Sequence, residues 1–441
     1  MAHADFAAST TAVTHPGPLA GVRVLDISEL IAAPMATMLL SDMGADVIKI
    51  EPPEGESWRL QMPLLPGESK GFMSLNRGKR GLAVNLKTAE GQAIVHALAR
   101  TADVAVVNYR PDVPPRLGID YATLSAINPR IIYAANTAFG RHGPHAHRPG
   151  YDIILQAMSG LMTGAGGVTE AGMPAVIGGT AIADFSAALL LAWAVCAALY
   201  HRERTGEGQQ IDTSLLAAAL TVQTSRFFSV EEQDAADRAE LVRRVRELRA
   251  AGRPYREIVE AVQAARGLVG QAVANPYYRV YQAQDDFIAV GCLSHALRVK
   301  FCRVLGLEDP RLEPGAWQPG TGEFRAIGRR LAQEAEAIIR ARPAAEWLAR
   351  FDAAGVPAGP VRLAEELFED PHILANGLVA EVEHALVGRL KMVGPPVHMS
   401  RTPLRPQGAA PALGQHTDEI LRSLGYEDGQ ISELRRRGIV R

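Results

Sequence analysis

Between Pro18 and Glu51 the chain reads PLAGVRVLDISELIAAPMATMLLSDMGADVIKIE, and this order of patterns admits few architectures. Val22, Val24 and Leu25 form a first apolar run of strand character. Ala32, Ala33 and Pro34 then open a helix, with proline where its missing N–H costs nothing. Met35, Met38, Leu39, Leu40 and Met43 supply the buried face of that helix, and Gly44 ends it. Val47, Ile48 and Ile50 make a second strand. The result is a βαβ unit of the kind that carries nucleotides, but without the GxGxxG turn of dinucleotide sites. In place of those glycines, the small side chains of Ala32 and Ala33 let a ligand approach the backbone.

The same rhythm continues. Residues 82–84, 104–107 and 131–133 are short apolar runs, separated by helical patterns at 89–100 and 121–127. Strand and helix signals alternate through the first 220 residues, so the class is α/β with a parallel sheet. Ligand contacts are expected beyond the carboxyl ends of its strands. With 441 residues the chain can hold two or three domains. Near Phe227 the character changes: residues 231–263 are rich in Arg, Glu and Ala and break once, at 251–254, which predicts two surface helices joined by a turn. Residues 275–291 have hairpin features, 355–360 reads as a rigid connector, 379–393 as a strand pair and 417–437 as a terminal helical stretch. These features divide the chain into a disordered tail (1–17), a large domain (18–227), a small domain (228–340) containing the charged insert, and a linker with a C-terminal return to the large domain (341–441).

Charge and composition narrow the function. Lys and Arg number 46 against 48 Asp and Glu, which gives no support to a nucleic-acid or membrane-surface role. Of the three cysteines, Cys196, Cys292 and Cys302, none sits in a CxxC, and each lies among apolar residues, as buried free thiols in a reducing cytoplasm would. No basic stretch followed by an apolar core marks a signal peptide at the N-terminus. The longest apolar run, 187–200 (AALLLAWAVCAALY), falls short of the roughly 20 residues needed to span a bilayer and reads as a fully buried helix.

Several residues could carry chemistry. Asp184 follows a Gly pair in GGTAIADFSAALLLAW and stands directly before the most apolar helix. It can cap that helix, or serve as a nucleophile held ionised near a helix N-terminus, and the two roles are compatible. Asp152, in RPGYDIILQAMSGLM, has the same pair of readings. His142, His145 and His147 lie in a Gly/Pro-rich loop with no second ligand cluster to complete a metal site, so no metal is expected. Arg77, Gly78, Lys79 and Arg80 precede a strand, where cations and free N–H groups suit a phosphate, although an ordinary charged turn fits as well. Asn108 to Pro111 follow directly on the strand at 104–107.

Taken in order, these segments resemble the class III CoA-transferases, the formyl-CoA, carnitine and bile-acid CoA-transferase group. The resemblance runs through LDIS and AAP in the opening unit, NRGKRGLAVNLK at 76–87, ADVAVVNYRP at 102–111, RLGIDY at 116–121, and RPGYD at 148–152. It continues through TGEGQQIDTSLL at 205–216, GVPAGPV at 355–361 and GQHTDEILRSLGY at 414–426. It implies a Rossmann-like large domain, a smaller α+β domain, and two chains interlinked as a homodimer in the cytoplasm. It also implies that Asp184 is the catalytic nucleophile. Asp184 would attack an acyl-CoA thioester to give an acyl-aspartyl anhydride and then an aspartyl-CoA thioester, from which a carboxylate acceptor takes the CoA. Coenzyme A and acyl-CoA enter as substrates, and no permanently bound cofactor is implied. The positions that match the family's CoA-binding segments are Leu30, Ile31, Ala32, Arg59, Lys79, Arg80, Asn108, Tyr109, Arg116 and Leu117.

The superfamily also holds α-methylacyl-CoA racemases, whose catalytic Asp matches Asp152. Here Tyr151 stands where racemases commonly have His, and Gly291 to Ser294 stand where they carry a Glu-containing phrase, so the transferase is the leading reading. A racemase, or a non-catalytic acyl-CoA-binding protein, is the alternative. The glycine-rich flap of some transferases is at most reduced here, to Gly267 to Gly270.

Overall fold

A computed structural model of the chain describes residues 17–265, 274–318 and 321–441. The expected tail, except Gly17, and the Gly267 to Gly270 segment lie outside the described residues. Contacts divide the chain into two units. The first takes in the chain up to Gly167, Ala175–Phe228 and Asp370–Arg441, and the second Val168–Pro174 and Ser229–Glu369.

The first unit is built in chain order from β1 (Arg23–Ile27), α1 (Ala32–Asp42), β2 (Asp46–Glu51), β3 (Arg80–Ala83), α2 (Ala89–Ala99) and β4 (Val104–Val107). It continues with α3 (Tyr121–Ile127), β5 (Ile132–Thr137), α4 (Asp152–Met158), α5 (Ile182–Thr205), β6 (Gln210–Ser214) and α6 (Leu215–Thr221). The six strands lie in the order β3-β2-β1-β4-β5-β6. Every neighbouring pair is parallel. This is the doubly wound order, and its direction reverses between β1 and β4.

Alternation along each strand divides the core into two layers. Leu25, Ile48 and Leu82 face one side, where they pack with Ile94 and Leu98 of α2, Leu124 of α3, and Ile420 and Ile431 of the C-terminal return. Val24, Val47 and Val106 face the other side, against Ala36 and Leu40 of α1 and Leu191 and Val195 of α5. Both faces are covered, which is why these strands read as near-continuous apolar runs. Each such side chain fully removed from water contributes about 1.5–3 kcal/mol. β6 was not legible, because Gln210–Ser214 holds a single large apolar residue, Ile211. Its place at the sheet edge rests on backbone pairing with β5.

α5 departs from the expectation of a short, fully buried helix. It is 24 residues long, enough by length and composition to cross a membrane. One face packs on the sheet, while Leu189, Trp193 and Tyr200 are exposed, Trp193 by 70%. In the C-terminal return, Val379–His384 pairs antiparallel with Gly388–Val393, and helices Thr417–Ser423 and Asp428–Arg436 follow.

The second unit contains the expected charged helices, Glu231–Ala250 and Tyr255–Ala265, and the hairpin of Tyr278–Gln282 with Phe287–Gly291. Its core gathers Tyr277, Tyr281, Phe301, Ile339, Trp347 and Phe351. The residues expected as a connector are different in kind: Ala358–Pro360 forms a third strand, paired antiparallel with Phe287–Gly291. Residues 341–369 therefore belong with this unit rather than with the return, because backbone pairing ties them to the hairpin.

Candidate active site

Where the sheet order reverses, the turn after β1 meets the end of β4. Asn108 clamps that turn from both sides: its Oδ1 accepts from the Glu29 N–H at 2.9 Å, and its Nδ2 donates to the Glu29 carbonyl at 2.6 Å. Beyond the carboxyl ends of β2, β3 and β4 opens a cavity of about 590 Å³, with Val84, Lys87, Tyr109, Arg116 and Leu117 in its lining. Arg116 is exposed and ion-paired with Asp112 at 2.9 Å. Tyr109 is half-buried, and burial, reinforced by the Glu29 carboxylate, pushes its hydroxyl well above the usual phenol range. The structure thus brings Tyr109, Arg116 and Leu117 to one crevice, while Asn108 holds Glu29 of the same lining. Lys87 and Val84 were missed, although the rule that placed ligands past strand ends applies equally to the residues after β3.

Three of the cations expected among the CoA-binding positions lie elsewhere. Arg59 is fully buried: its Nε and Nη2 meet Glu51 at 2.7 and 2.9 Å, its Nη1 meets Glu68 at 3.1 Å, and Nη2 also donates to the Pro411 carbonyl. Lys79 is buried too, with Nζ donating to Asp26 Oδ2 at 2.7 Å, Asn76 Oδ1 at 2.7 Å and the Pro34 carbonyl at 2.8 Å. Burial, outweighing the Asp26 attraction and aided by the nearby Lys49 charge, brings the Lys79 ammonium down to about 8. Burial alone would raise Asp26, but Lys49 and Lys79 outweigh it and hold the carboxyl at about 2. Arg80 forks onto Asp46 at 2.9 and 2.7 Å and reaches Glu419 at 3.0 Å. The donors of Arg59, Lys79 and Arg80 are thus engaged by protein acceptors, and none of the three lines the crevice.

At the start of α5 the two aspartates meet. Neither is an N-cap: Ala181 caps α5 and Tyr151 caps α4, both without side-chain bonds. Asp184 stands in the first turn of α5, while Asp152 reaches over from α4 and supplies the missing acceptor. Its Oδ1 accepts from the Ala183 N–H at 2.7 Å and the Asp184 N–H at 3.4 Å. Its Oδ2 accepts from Gln156 Nε2 at 2.6 Å, and Gln156 Oε1 accepts from the Ile177 N–H at 3.0 Å. The loop before Asp184 is thereby tied to α4, and Gly179 turns it at φ +80°, where a Cβ would be strained. Burial, and then the Asp152 charge, raises the Asp184 carboxyl to about 7. Ala32, from the turn after β1, packs in the same apolar cluster as Ala183, so that turn lies beside the first turn of α5. In the histidine-containing loop, His145 Nδ1 pairs with Arg148 at 3.1 Å.

A half-buried carboxyl raised to about 7 in the first turn of a helix is a candidate catalytic group. Comparison with known proteins points the same way. The family model for CoA-transferase family III matches residues 19–417. Mouse succinyl-CoA:glutarate CoA-transferase is 35% identical, over 96% of this chain and 90% of its own. Acetyl-CoA:oxalate CoA-transferase of Acetobacter aceti is 33% identical, over 89% of this chain and 91% of its own. Among solved structures, a CAIB/BAIF family protein from Brucella suis superposes with a TM-score of 0.69 at 28% identity, covering 93% of this chain and 100% of that one. With a family match that takes in nearly every strand and helix of both units, this chain belongs to CoA-transferase family III and is an enzyme of the transferase type.

Proposed function

We propose that this enzyme moves CoA from an acyl-CoA donor to a dicarboxylate acceptor through covalent intermediates on Asp184. The observation that carries the reading is the Asp184 carboxyl in the first turn of α5, with the Asp152 carboxylate bonded to the backbone N–H groups of Ala183 and Asp184. A carboxyl at about 7 is ionised in a useful fraction near neutral pH and more basic than an ordinary aspartate. Asp184 attacks the thioester carbonyl carbon, the C–S bond breaks, and CoA leaves as a thiolate beside an acyl-aspartyl anhydride. The thiolate then attacks the Asp184 acyl carbon, expelling the donor acid as its carboxylate and leaving an aspartyl-CoA thioester. The acceptor carboxylate repeats the sequence in reverse, carries off the CoA and regenerates Asp184.

In this reading Arg116 and Lys87 hold the phosphates of CoA, Tyr109, Leu117 and Val84 offer apolar walls to its base, and Leu30, Ile31 and Ala32 meet its thioester end. Glutarate and oxalate in the names of the relatives support a dicarboxylate acceptor. Proton exchange through Asp152, the racemase reading, draws no such support, since both its oxygens already accept protein hydrogen bonds. The exposed face of Leu189, Trp193 and Tyr200 supports an interlocked dimer, and three free cysteines agree with a cytoplasmic setting.

Mass spectrometry of the intact protein after exposure to a panel of acyl-CoAs tests this. A CoA-sized adduct on the Asp184 peptide, discharged by glutarate or oxalate, is expected, and Asp184→Ala should lose the adduct while still binding CoA. Absence of any adduct with every donor would overturn the covalent mechanism.

A further inference from the structure

The turn between β1 and α1 is held by side chains from three other places in the fold. The Ser28 carbonyl accepts from Lys49 Nζ at 2.5 Å, Asn108 grips both backbone groups of Glu29, and the Leu30 N–H donates to Glu56 Oε2 at 2.7 Å. Leu30 has φ +68°, and among the described residues only it and Met62 are non-glycines at positive φ. A residue with a Cβ populates this region roughly tenfold less than its ordinary basins, because the Cβ crowds the following carbonyl oxygen. Glycine is the usual solution at such a turn, and here a branched aliphatic stands instead.

Glu56 is 1% exposed and ion-paired with the fully buried Lys49 at 3.1 Å, so the acceptor for the Leu30 amide is itself rigidly placed. Backbone strain that the surroundings over-determine in this way gathers where a shape must exist before the ligand arrives. Ile31 and Ala32, which follow, open α1 without a side-chain cap, and Ala32 belongs to the same buried apolar cluster as Ala183.

We infer that Glu56 is a positioning residue: its carboxylate holds Leu30 left-handed and so presets the β1–α1 turn in the shape that receives the CoA thioester beside Asp184. This rests on the CoA-transfer reading above. Binding is pre-organised by a buried acid that touches no substrate atom.

Calorimetric titration of CoA into the full chain and its variants, with the Tm of each recorded, tests the inference. Glu56→Ala is expected to weaken CoA binding about tenfold in the Leu30 chain. In the Leu30→Gly background the same change should cost less than about twofold, because glycine takes positive φ unaided. Leu30→Val leaves the buried charges untouched and should weaken binding by about tenfold or more, since β-branched residues avoid this region most strongly. It carries the test alone if Glu56→Ala fails to fold. Equal losses from Glu56→Ala in both backgrounds, or binding unweakened by Leu30→Val, would overturn the inference. A wild-type chain with no affinity for CoA would overturn the functional reading instead.

Discussion

Asp184 carries a proton below pH 7 and a charge above it, and both states have consequences. Its carboxyl is raised from an ordinary 3.8 to about 7, by burial and then by the Asp152 charge. In the proposed mechanism the ionised form of Asp184 is the nucleophile, so kcat/KM for the acyl-CoA should climb with pH through about 7 and level off above. Asp152→Asn removes the neighbouring charge, so the acid limb should move to lower pH. The same change sets two amide groups against each other at Gln156 and disturbs the loop, so kcat should fall; an unmoved limb would show that Asp152 does not act on Asp184 electrostatically. Stability runs in the opposite sense. A folded-state value above the unfolded one means that the contribution is fully present below about 3.8 and lost as pH rises through about 7. Asp184→Asn should therefore raise the Tm at pH 8 and leave it little changed near pH 4. Discounted for water at a half-buried group, the gain is on the order of 1–2 kcal/mol.

Among the elements, β1 and β2 bear apolar side chains on both faces but carry buried charge near their carboxyl ends. Asp26 and Lys49 stand side by side in the register of β1 and β2, and Lys79 arrives from the residue before β3. Replacing Lys79 by Met would leave Lys49, at 3.9 Å, as the one cation bridged to Asp26 beside the Ser28 and Thr37 hydroxyls, and is expected to cost about 3–5 kcal/mol of stability, read as a large loss in denaturant midpoint. Arg116→Ala, on the exposed wall of the crevice, should leave that midpoint within about 0.5 kcal/mol while raising the KM for acyl-CoA about tenfold. The reverse outcome would return the phosphates to the basic turn. The distinction was invisible in RGKR because sequence shows charge but not which acceptors surround it. Arg59 illustrates this best, since its partners Glu51, Glu68 and Pro411 come from three separate segments.

Across the whole molecule, the apolar face of α5 is exposed, and Phe227 and Phe228 are exposed as well, by 71% and 73%. If a second copy covers Trp193, Trp193→Lys should shift the sedimentation coefficient from dimer to monomer with the Asp184 pair intact; a wild-type monomer would end the dimer reading. Much of both units was legible beforehand: the βαβ opening and α3 at residues 121–127 in the first, and the charged helix pair and the hairpin in the second, follow from periods of 3.6 and 2 and from Pro and Gly at their ends. β6 and Ala358–Pro360 escaped, because an edge strand and a short third strand are specified by backbone pairing more than by side-chain pattern. The order of motifs also marked Asp184 as the residue to watch. Local periodicity, a property of neighbouring residues, determined the elements, and the resemblance of the ordered motifs to a family implied the role of Asp184. Only the tertiary structure decided that Asp152 accepts from the first-turn N–H groups of the helix of Asp184, that Asn108 grips Glu29, that Glu56 holds Leu30, and that Arg59 and Lys79 are buried. Each of these rests on a contact between residues 20 to several hundred positions apart, and a hydrogen bond at that separation exists only once the chain has folded.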